Sequence, residues 1–327
     1  MKKMRMTLGS IFAAIPLMVI TISSPAFSQE KFPSRTIKMI VPYSPGSGTD
    51  SSARHLQPEA EKVLGQPIII INKPGAAGAL GYTECAEARP DGYTVTFTGP
   101  TLPMLRHTSP RSNVDINMLD PIILVAELPL VLAVRQDSPW KNLKEFIDHA
   151  KNNPGKIRFS NNGTGGIFHM SALSFEAKAG IKLTHLPFKS NADALMALLG
   201  NHIEAGMSSP PTLSQFVKTG KLRILAVSSK ERYAYLPDIL TFKELGLDFT
   251  PTTFYGFSVT KGAPKGHIKL LHDAFKKAME SKRFKEYAER EGMMVTYLGS
   301  DEYGEYLEKL DKVWAKVIED GLYKPVQ

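Results

Sequence analysis

The chain has 327 residues, enough for two domains of ordinary size, each with its own core. Hydrophobic residues make up 43% of it and charged residues 22%, as in soluble globular proteins. The formal net charge is +8, but basic and acidic residues are interspersed without long basic blocks, which argues against nucleic-acid binding. Because Cys85 is the one cysteine, an intramolecular disulfide is excluded, and we expect this thiol to be buried in a predicted helix, residues 78–88.

Residues 1–28 have the pattern of a secretory signal peptide. Positive charges lie within the first five residues, residues 8–22 are apolar but too short for a comfortable membrane span, and Ala26 and Ser28 supply the small side chains that precede a cleavage site. We therefore predict cleavage after Ser28 and export of the mature protein to the periplasm.

The mature chain opens with a strand, a glycine-rich turn and a helix. Residues 37–41 are apolar and predict a buried strand, residues 45–48 form a turn with little bulk, and Thr49 or Asp50 is expected to cap a helix that reaches Leu64. This order exposes backbone N–H groups at the positive end of a helix dipole, which favours an anion. The alternative is a plain βα loop in which glycine serves only the backbone angles.

Strands and helices continue to alternate along the chain, which predicts parallel or mixed sheets with helices on both faces. The second half contains another glycine-rich turn, residues 161–166, again between a strand and a helix. Ligands in open α/β sheets sit at the carboxyl ends of strands. If the two turns face each other, two helix N-termini converge on one small anion, which favours a carboxylate over a phosphate-rich nucleotide. The aromatic stripe of the last helix, residues 301–320, is interpreted as packing.

Further candidate residues follow predicted strands. His169 lies in the first turn of the helix after the second glycine-rich turn, where it can contact a ligand or brace the turn, and we favour bracing. Phe188 can stack on a ligand or pack into a core, and both remain open. Ser208 and Ser209 can donate hydrogen bonds to a ligand. Residues 254–256 begin a late strand, where an aromatic ring, that of Phe254 or Tyr255, can form a wall of the cleft.

The usual catalytic and metal-binding motifs are missing from the sequence. Residues 46–48 and 206–210 both miss the Gly-x-Ser-x-Gly nucleophile elbow, and no Gly-Lys-Ser/Thr phosphate loop is present. Residues 163–168 lack the last glycine of the dinucleotide fingerprint, and the eight histidines include no His-x-x-x-His pair on a predicted helix. We therefore predict a protein that is not an enzyme and that has no cofactor and no metal.

The order of these loops in the mature chain resembles the extracytoplasmic solute-binding proteins of the tripartite tricarboxylate transporter family, the TctC or Bug type. The blocks that carry the resemblance are FPSR (32–35), IVPYSPGSGTD (40–50), NKPGAAG (72–78), RPDGYT (89–94), GTGGIFH (163–169), HLPFK (185–189), RYAYLPD (232–238) and YGF (255–257). The resemblance implies a type II periplasmic binding protein, in which two domains, each a mostly parallel sheet flanked by helices, close on a ligand like a Venus flytrap.

The resemblance also implies that a carboxylate is held by backbone N–H groups and ordered water from the two glycine-rich turns. It assigns Tyr43, Ser44, Gly46, Ser47, Gly48 and Thr49 to one wall, and Asn162, Gly163, Thr164, Gly165, Gly166 and His169 to the other. The chain departs from the family pattern at these two walls, where Ser47 replaces a frequent glycine and Gly166 a frequent hydroxyl residue. Ser208 and Ser209 stand where an acidic residue is frequent, so an amino acid with its ammonium group is a less favoured ligand.

The resemblance divides the chain into a signal peptide (1–28), a first domain (29–125 plus 251–327) and a second domain (126–250). The implied function is the capture of a di- or tricarboxylate, or an aromatic carboxylate such as terephthalate, for delivery to membrane permease subunits. A sensor that docks on a membrane signalling partner is the alternative, and an exported hydrolase is disfavoured by the missing elbow. We expect a monomer.

Overall fold

The computed structural model of the protein describes residues 31–109, 112–161, 163–188 and 191–323. The predicted signal peptide lies outside these ranges, and so does the predicted site residue Asn162. Within them, no helix combines the length and the apolar character that crossing a bilayer requires.

Strands and helices alternate through most of the described chain, as predicted. The strands are β1 (Ile37–Val41), β2 (Ile68–Asn72), β3 (Thr94–Thr98), β4 (Leu119–Pro129), β5 (Val131–Arg135), β6 (Arg158–Asn161), β7 (Thr184–Pro187), β8 (Ala205–Ser208), β9 (Leu222–Val227) and β10 (Thr252–Thr260). The helices are α1 (Gly48–Leu64), α2 (Ala79–Ala86), α3 (Leu105–Thr108), α4 (Leu143–Asn152), α5 (Ile167–Ala179), α6 (Asn191–Leu199), α7 (Pro210–Lys218), α8 (Lys265–Glu280), α9 (Lys282–Arg290) and α10 (Ser300–Glu319). Short 3₁₀ turns occupy Ala76–Gly78, Leu102–Met104 and Ile116–Met118.

The first five-stranded sheet has the order β2-β1-β3-β10-β4. β1 pairs in parallel with β2 and β3, whereas β10 runs antiparallel to β3 and β4. In this register Gly256, near the start of β10, lies opposite Thr98, the last residue of β3. The beginning of β10 therefore lies at the edge where β1 and β3 end, which is the usual ligand edge of an α/β sheet.

The second five-stranded sheet has the order β7-β6-β8-β5-β9. β6 is parallel to β7 and β8, and β5 is antiparallel to β8 and β9. Both sheets are thus mixed and flanked by helices, and the predicted two-domain α/β fold is confirmed. We call the first sheet with its helices lobe 1 and the second lobe 2.

The chain crosses between the two sheets where β4 runs almost directly into β5. Only Leu130 separates these strands, and the predicted domain limit at residue 125 falls inside β4. The return from β9 to β10 takes residues 228–251. The exact domain limits stay a prediction.

Helix α10 packs against both lobes. Near its start, Tyr303 and Leu307 form a buried cluster with Phe254 of β10. Near its end, Trp314 and Val317 belong to the core cluster of lobe 2. The aromatic stripe of this helix is therefore packing, as predicted, and it joins the two cores.

The structure differs from the predictions in the region of α2 and α3. We expect a helix over residues 78–88, but the regular helix spans Ala79–Ala86, because Gly78 has a positive φ angle of 96° and ends the 3₁₀ turn Ala76–Gly78. The short helix α3 was not predicted. Cys85 is fully buried, as expected, and burial raises the pKa of its thiol to about 12.

Gly81 of α2 fixes the position of the residues that follow β1. A Cβ atom at Gly81 would lie 2.7 Å from Pro42 Cβ and 2.8 Å from Pro42 Cα. The helix therefore touches the backbone of Pro42 directly, and Pro42 begins the loop between β1 and α1.

Replacing Gly81 with alanine should lower the free energy of unfolding by about 1–3 kcal/mol, because overpacking outweighs the better helix propensity of alanine. Gly266 is the matched control, since it lies in α8 with no atom within 4 Å of the place of its Cβ. Gly266→Ala should leave stability unchanged or raise it by up to about 1 kcal/mol. Urea denaturation measures both values, and equal stabilities would contradict the close packing of α2 on Pro42.

Candidate functional site

Loop 1, residues 42–47, leads from β1 into α1. Ser47 has extended backbone angles, and its Oγ accepts the N–H of Asp50 at 3.2 Å, so Ser47 is the N-cap. The prediction that Thr49 or Asp50 caps the helix is wrong, because both residues already lie in its first turn. Thr49 Oγ1 and Ser47 Oγ are 2.8 Å apart and share a hydrogen bond.

Asp50 holds loop 1 in place from inside the helix. Its carboxylate accepts the N–H of Gly46 at 2.8 Å, Asn72 Nδ2 at 2.9 Å and Arg54 Nε at 3.0 Å. Burial by itself raises the pKa of Asp50, but the hydrogen bonds from Arg54, Gly46 and Asn72 outweigh it and lower that pKa below its ordinary value. The Gly46 N–H therefore bonds to helix α1 and is not available to a ligand.

The helix start itself offers the unused donors of loop 1. The Ser47 N–H bonds to Ser44 O at 3.2 Å, and the Asp50 N–H bonds to Ser47 Oγ. Within the described residues, the N–H groups of Gly48 and Thr49 have no acceptor. Two donors at the positive end of α1 thus remain available to an anion.

Loop 2, residues 163–166, leads into α5 in a similar way. The N–H of Gly166 bonds to Gly163 O at 3.1 Å, and the N–H of Gly165 bonds to His169 Nδ1 at 3.0 Å. The N–H groups of Ile167 and Phe168, at the helix start, have no acceptor among the residues that the structure describes. The N–H groups of Gly46, Gly165 and Gly166 are therefore already bonded within the loops or to the helices that follow. The free N–H donors lie at the helix starts.

His169 braces loop 2, which is the role we favoured from the sequence. Its Nδ1 accepts the Gly165 N–H, so the neutral ring carries its proton on Nε2. Burial, with a smaller contribution from the neighbouring His185, lowers the pKa of His169 to about 4 and keeps the ring neutral at physiological pH. Gly165 has φ +76°, and a Cβ there would lie 2.8 Å from Tyr323 Oη, so only glycine fits.

A buried polar pair lies beneath His169. His185 Nε2 and Glu176 Oε2 are 2.8 Å apart, and Glu176 also accepts the N–H of Leu183. The rings of His169 and His185 meet edge to face with centroids 5.0 Å apart, and Tyr323 approaches His169 at 5.7 Å. These contacts fix the ring orientation that the hydrogen bond to Gly165 requires.

A cavity of about 340 Å³ lies between the two helix starts. It is lined by Tyr43, Thr49, Ala77, Pro100, Thr101, Gly166, Ile167, Phe168, Asn191, Ser209, Thr253 and Tyr255. These lining residues come from the ligand edges of both sheets, and none of them carries a charged side chain. The cavity therefore has hydroxyls, aromatic rings and helix N-termini, and it suits a small anion with apolar parts.

The predicted site residues divide into two groups. Those that line the cavity are Tyr43, Thr49, Gly166 and Ser209. Those that lie behind or beside it are Ser44, Gly46, Ser47, Gly48, Gly163, Thr164, Gly165, His169, Phe188 and Ser208. Phe188 packs against the hydrophobic cluster on one face of the second sheet, and Ser208 lines a separate space of about 10 Å³. The placement of Asn162 lies outside the described residues.

Sequence reasoning did not assign the residues that β3 and β10 contribute to the cavity. Pro100 and Thr101 directly follow β3. Because ligands of α/β sheets bind at the carboxyl ends of strands, their position in the sequence was a sufficient signal. Thr253 and Tyr255 lie at the start of β10, and only the antiparallel pairing of β10 brings them to this edge. The sequence predicts an aromatic wall from residues 254–256 without choosing between Phe254 and Tyr255, and in the structure Tyr255 lines the cavity whereas Phe254 is buried.

Two lobes with a polar cavity between their helix starts, whose described lining carries no charged side chain, define the fold of a periplasmic binding protein of the flytrap type. The sequence model described as "Tripartite tricarboxylate transporter family receptor" (TctC) matches residues 52–321. The chain belongs to this receptor family, which confirms the resemblance seen in its loops.

Two relatives are similar in sequence over nearly the whole chain. A UPF0065 protein from the gbd 5′ region of Cupriavidus necator is 35% identical over 302 residues, 92% of each chain. Protein BugT of Bordetella pertussis is 28% identical over 321 residues, 96% of this chain and 98% of BugT.

Solved structures agree in fold. A TctC solute-binding protein from Polaromonas has a TM-score of 0.78 and 32% identity, over 88% of this chain and 99% of that one. MatC from Rhodopseudomonas palustris, solved with bound malate, has a TM-score of 0.76 and 25% identity, over 88% of this chain and 100% of MatC.

Replacing Asp50 with asparagine should lower the free energy of unfolding by about 1–3 kcal/mol. The substitution removes the negative charge that strengthens the hydrogen bonds from Gly46, Asn72 and Arg54, and Asp50 is buried, so water cannot replace them. Arg54→Gln is the control: Arg54 is half exposed, and its loss leaves the other two bonds, so the cost should stay below about 1 kcal/mol. Chemical denaturation at pH 7 measures both. An Asp50→Asn variant as stable as the parent would refute the bracing role.

Replacing His169 with asparagine should flatten the pH dependence of stability. The unfolded chain binds a proton at this side chain near pH 6.5 and the folded protein near pH 4, so unfolding becomes easier as pH falls between these values. The whole effect amounts to about 3 kcal/mol at most. Asparagine does not titrate, and its Oδ1 can accept the Gly165 N–H.

His169→Ala separates the charge from the hydrogen bond. It leaves the buried Gly165 N–H without an acceptor, so it should cost about 1–3 kcal/mol at pH 7, where His169→Asn costs less. His202→Asn, at an exposed position, serves as the control for the pH slope. Thermal unfolding between pH 4 and 7 measures these values, and an unchanged slope in His169→Asn would contradict the assignment.

Proposed function

We propose that the protein is a periplasmic receptor that captures a small carboxylate and delivers it to the membrane permease subunits of a tripartite tricarboxylate transporter. The observation that carries this proposal is the cavity between the helix starts of α1 and α5. Thr49 lines it from one side, and Ile167 and Phe168 from the other, each beside N–H groups without an acceptor among the described residues.

The chemistry of the lining supports a carboxylate as the ligand. Two helix N-termini attract negative charge, and two or more N–H donors suit the two oxygens of a carboxylate. Among the described residues, no lysine or arginine lines the cavity to pair with a phosphate-rich ligand, and no acidic side chain lines it to receive an ammonium group. The volume of about 340 Å³ fits a small ligand, and the rings of Tyr43, Phe168 and Tyr255 suit its apolar part.

The family supports the same proposal. Malate, the ligand in the structure of MatC, is a dicarboxylate, and MatC is similar over 88% of this chain. The family description names transport as the process in which these receptors act. The leader, residues 1–28, supports export to the periplasm, where the receptor meets its ligand.

A thermal-shift panel tests the proposal. Malate, adipate and terephthalate should be compared with their uncharged amides on the mature chain. A ligand that binds only the folded state at a hundredfold excess over its Kd stabilises it by about 2.7 kcal/mol, which raises the melting temperature by roughly 3–8 °C.

At least one carboxylate should produce a shift of this size while its amide produces none. Equal shifts for the acids and the amides would show that the negative charge is not recognised. The absence of any shift with carboxylates, together with a shift by an amino acid or a nucleotide, would replace the proposed ligand class.

A further inference from the structure

Tyr255 presents a free hydroxyl to the cavity. The other hydroxyls of the lining have partners: Tyr43 bonds to Thr101 at 2.7 Å, Thr49 to Ser47 at 2.8 Å, Ser209 to Thr212 at 3.0 Å, and Thr253 to Leu128 O at 3.4 Å. Tyr255 Oη has no hydrogen-bond partner among the described residues. A polar group left unpaired at the wall of a binding cavity is a group available to the ligand.

The Tyr255 hydroxyl lies over the first residue of α1. A Cβ atom on Gly48 would be 2.8 Å from Tyr255 Oη, closer than a methyl group and an oxygen approach. The φ angle of Gly48 is not positive, so its backbone does not require glycine. Gly48 lacks a side chain because Tyr255 occupies that space, beside the two free N–H groups at the start of the helix.

The surrounding structure holds the Tyr255 ring in this position. The ring meets Phe97 of β3 edge to face, with centroids 5.3 Å apart. The register between β10 and β4 shifts directly after Tyr255, and such bulges re-aim neighbouring side chains. Burial raises the pKa of Tyr255 above its ordinary value, so the hydroxyl keeps its proton and can donate a hydrogen bond to an anion.

We propose that Tyr255 is a ligand-binding residue whose hydroxyl donates to the carboxylate held at the start of α1. Resting on the proposed function, this adds a donor from β10 to the backbone donors of Gly48 and Thr49. The carboxylate then bonds to a side chain that only the antiparallel return strand can supply. The bare backbone of Gly48 becomes part of the same recognition element.

Tyr255→Phe removes the hydroxyl and keeps the ring. Isothermal titration with malate, adipate and terephthalate should show the best of these ligands binding about 10- to 100-fold more weakly than to the parent, as expected for a lost hydrogen bond to a charged group. Tyr306→Phe is the matched control. Its ring packs on the other face of β10, its hydroxyl bonds to Glu127 and Thr252, and it does not line the cavity. The affinity of Tyr306→Phe for the ligand should stay within about twofold of that of the parent.

A double-mutant cycle with Gly48→Ala tests the contact between the two residues. The added methyl group should push the Tyr255 hydroxyl away and weaken binding about 10-fold or more, whereas in the Tyr255→Phe background no oxygen is displaced and the further loss should be small. If the two substitutions lower the binding free energy additively, the result would contradict a shared role of Gly48 and Tyr255 in binding the carboxylate. An unchanged affinity in Tyr255→Phe would overturn the proposal outright.

The two proposals fail in different ways. If the unaltered protein binds none of the carboxylates, the proposed function is wrong and the role of Tyr255 falls with it. If the unaltered protein binds a carboxylate and Tyr255→Phe binds it equally well, the function stands and only the role of Tyr255 is refuted. Circular dichroism melting of each variant confirms that the affinities refer to folded protein.

Discussion

Unpaired backbone N–H groups at the starts of two helices are the feature on which this site depends. Four such groups, on Gly48, Thr49, Ile167 and Phe168, have no acceptor within the described part of the chain. They lie at the positive ends of α1 and α5, where the helix dipole and the free N–H groups stabilise an anion. Backbone donors are fixed by the helices that carry them, so little ordering is required when a ligand binds.

The loops before these helices hold the donors in place. In loop 1 the Gly46 N–H is bound by Asp50, and in loop 2 the Gly165 N–H is bound by His169. Each contact reaches from a side chain in the first turn of the helix back to a glycine four residues earlier. Two unrelated side chains, a carboxylate and a neutral imidazole, thus perform the same structural task in the two lobes.

The lobes meet through more than the crossover at β4 and β5. After β3, residues 99–108 contribute Thr101 to the cavity and bring Thr108 to within 3.2 Å of the place of a Cβ on Gly165. Helix α10 packs into both cores, and the chain after it brings Tyr323 to His169 and Gly165. Loop 2 is therefore contacted by segments that start on the first sheet, so residues from both lobes determine its shape.

Local sequence patterns were sufficient for the two loops and for most elements, because strand, glycine-rich turn and helix are encoded within about 20 residues. The family resemblance supplied the two-lobed arrangement. The N-cap was misplaced because Ser47, Thr49 and Asp50 are all good caps, and only the backbone angles distinguish them. Gly48 and Tyr255 are about 200 residues apart, and the pairing of β10 with β3 that brings Tyr255 to this edge is contained in no local pattern.

Amide chemical shifts provide the most direct test of the central claim, that one carboxylate is held by both helix starts. In ¹⁵N TROSY spectra of the mature protein titrated with its best carboxylate, the N–H signals of Gly48, Thr49, Ile167 and Phe168 should move downfield together and saturate at one common Kd. Downfield shifts confined to one helix start, or saturation at two different concentrations, would contradict a single anion shared between the lobes.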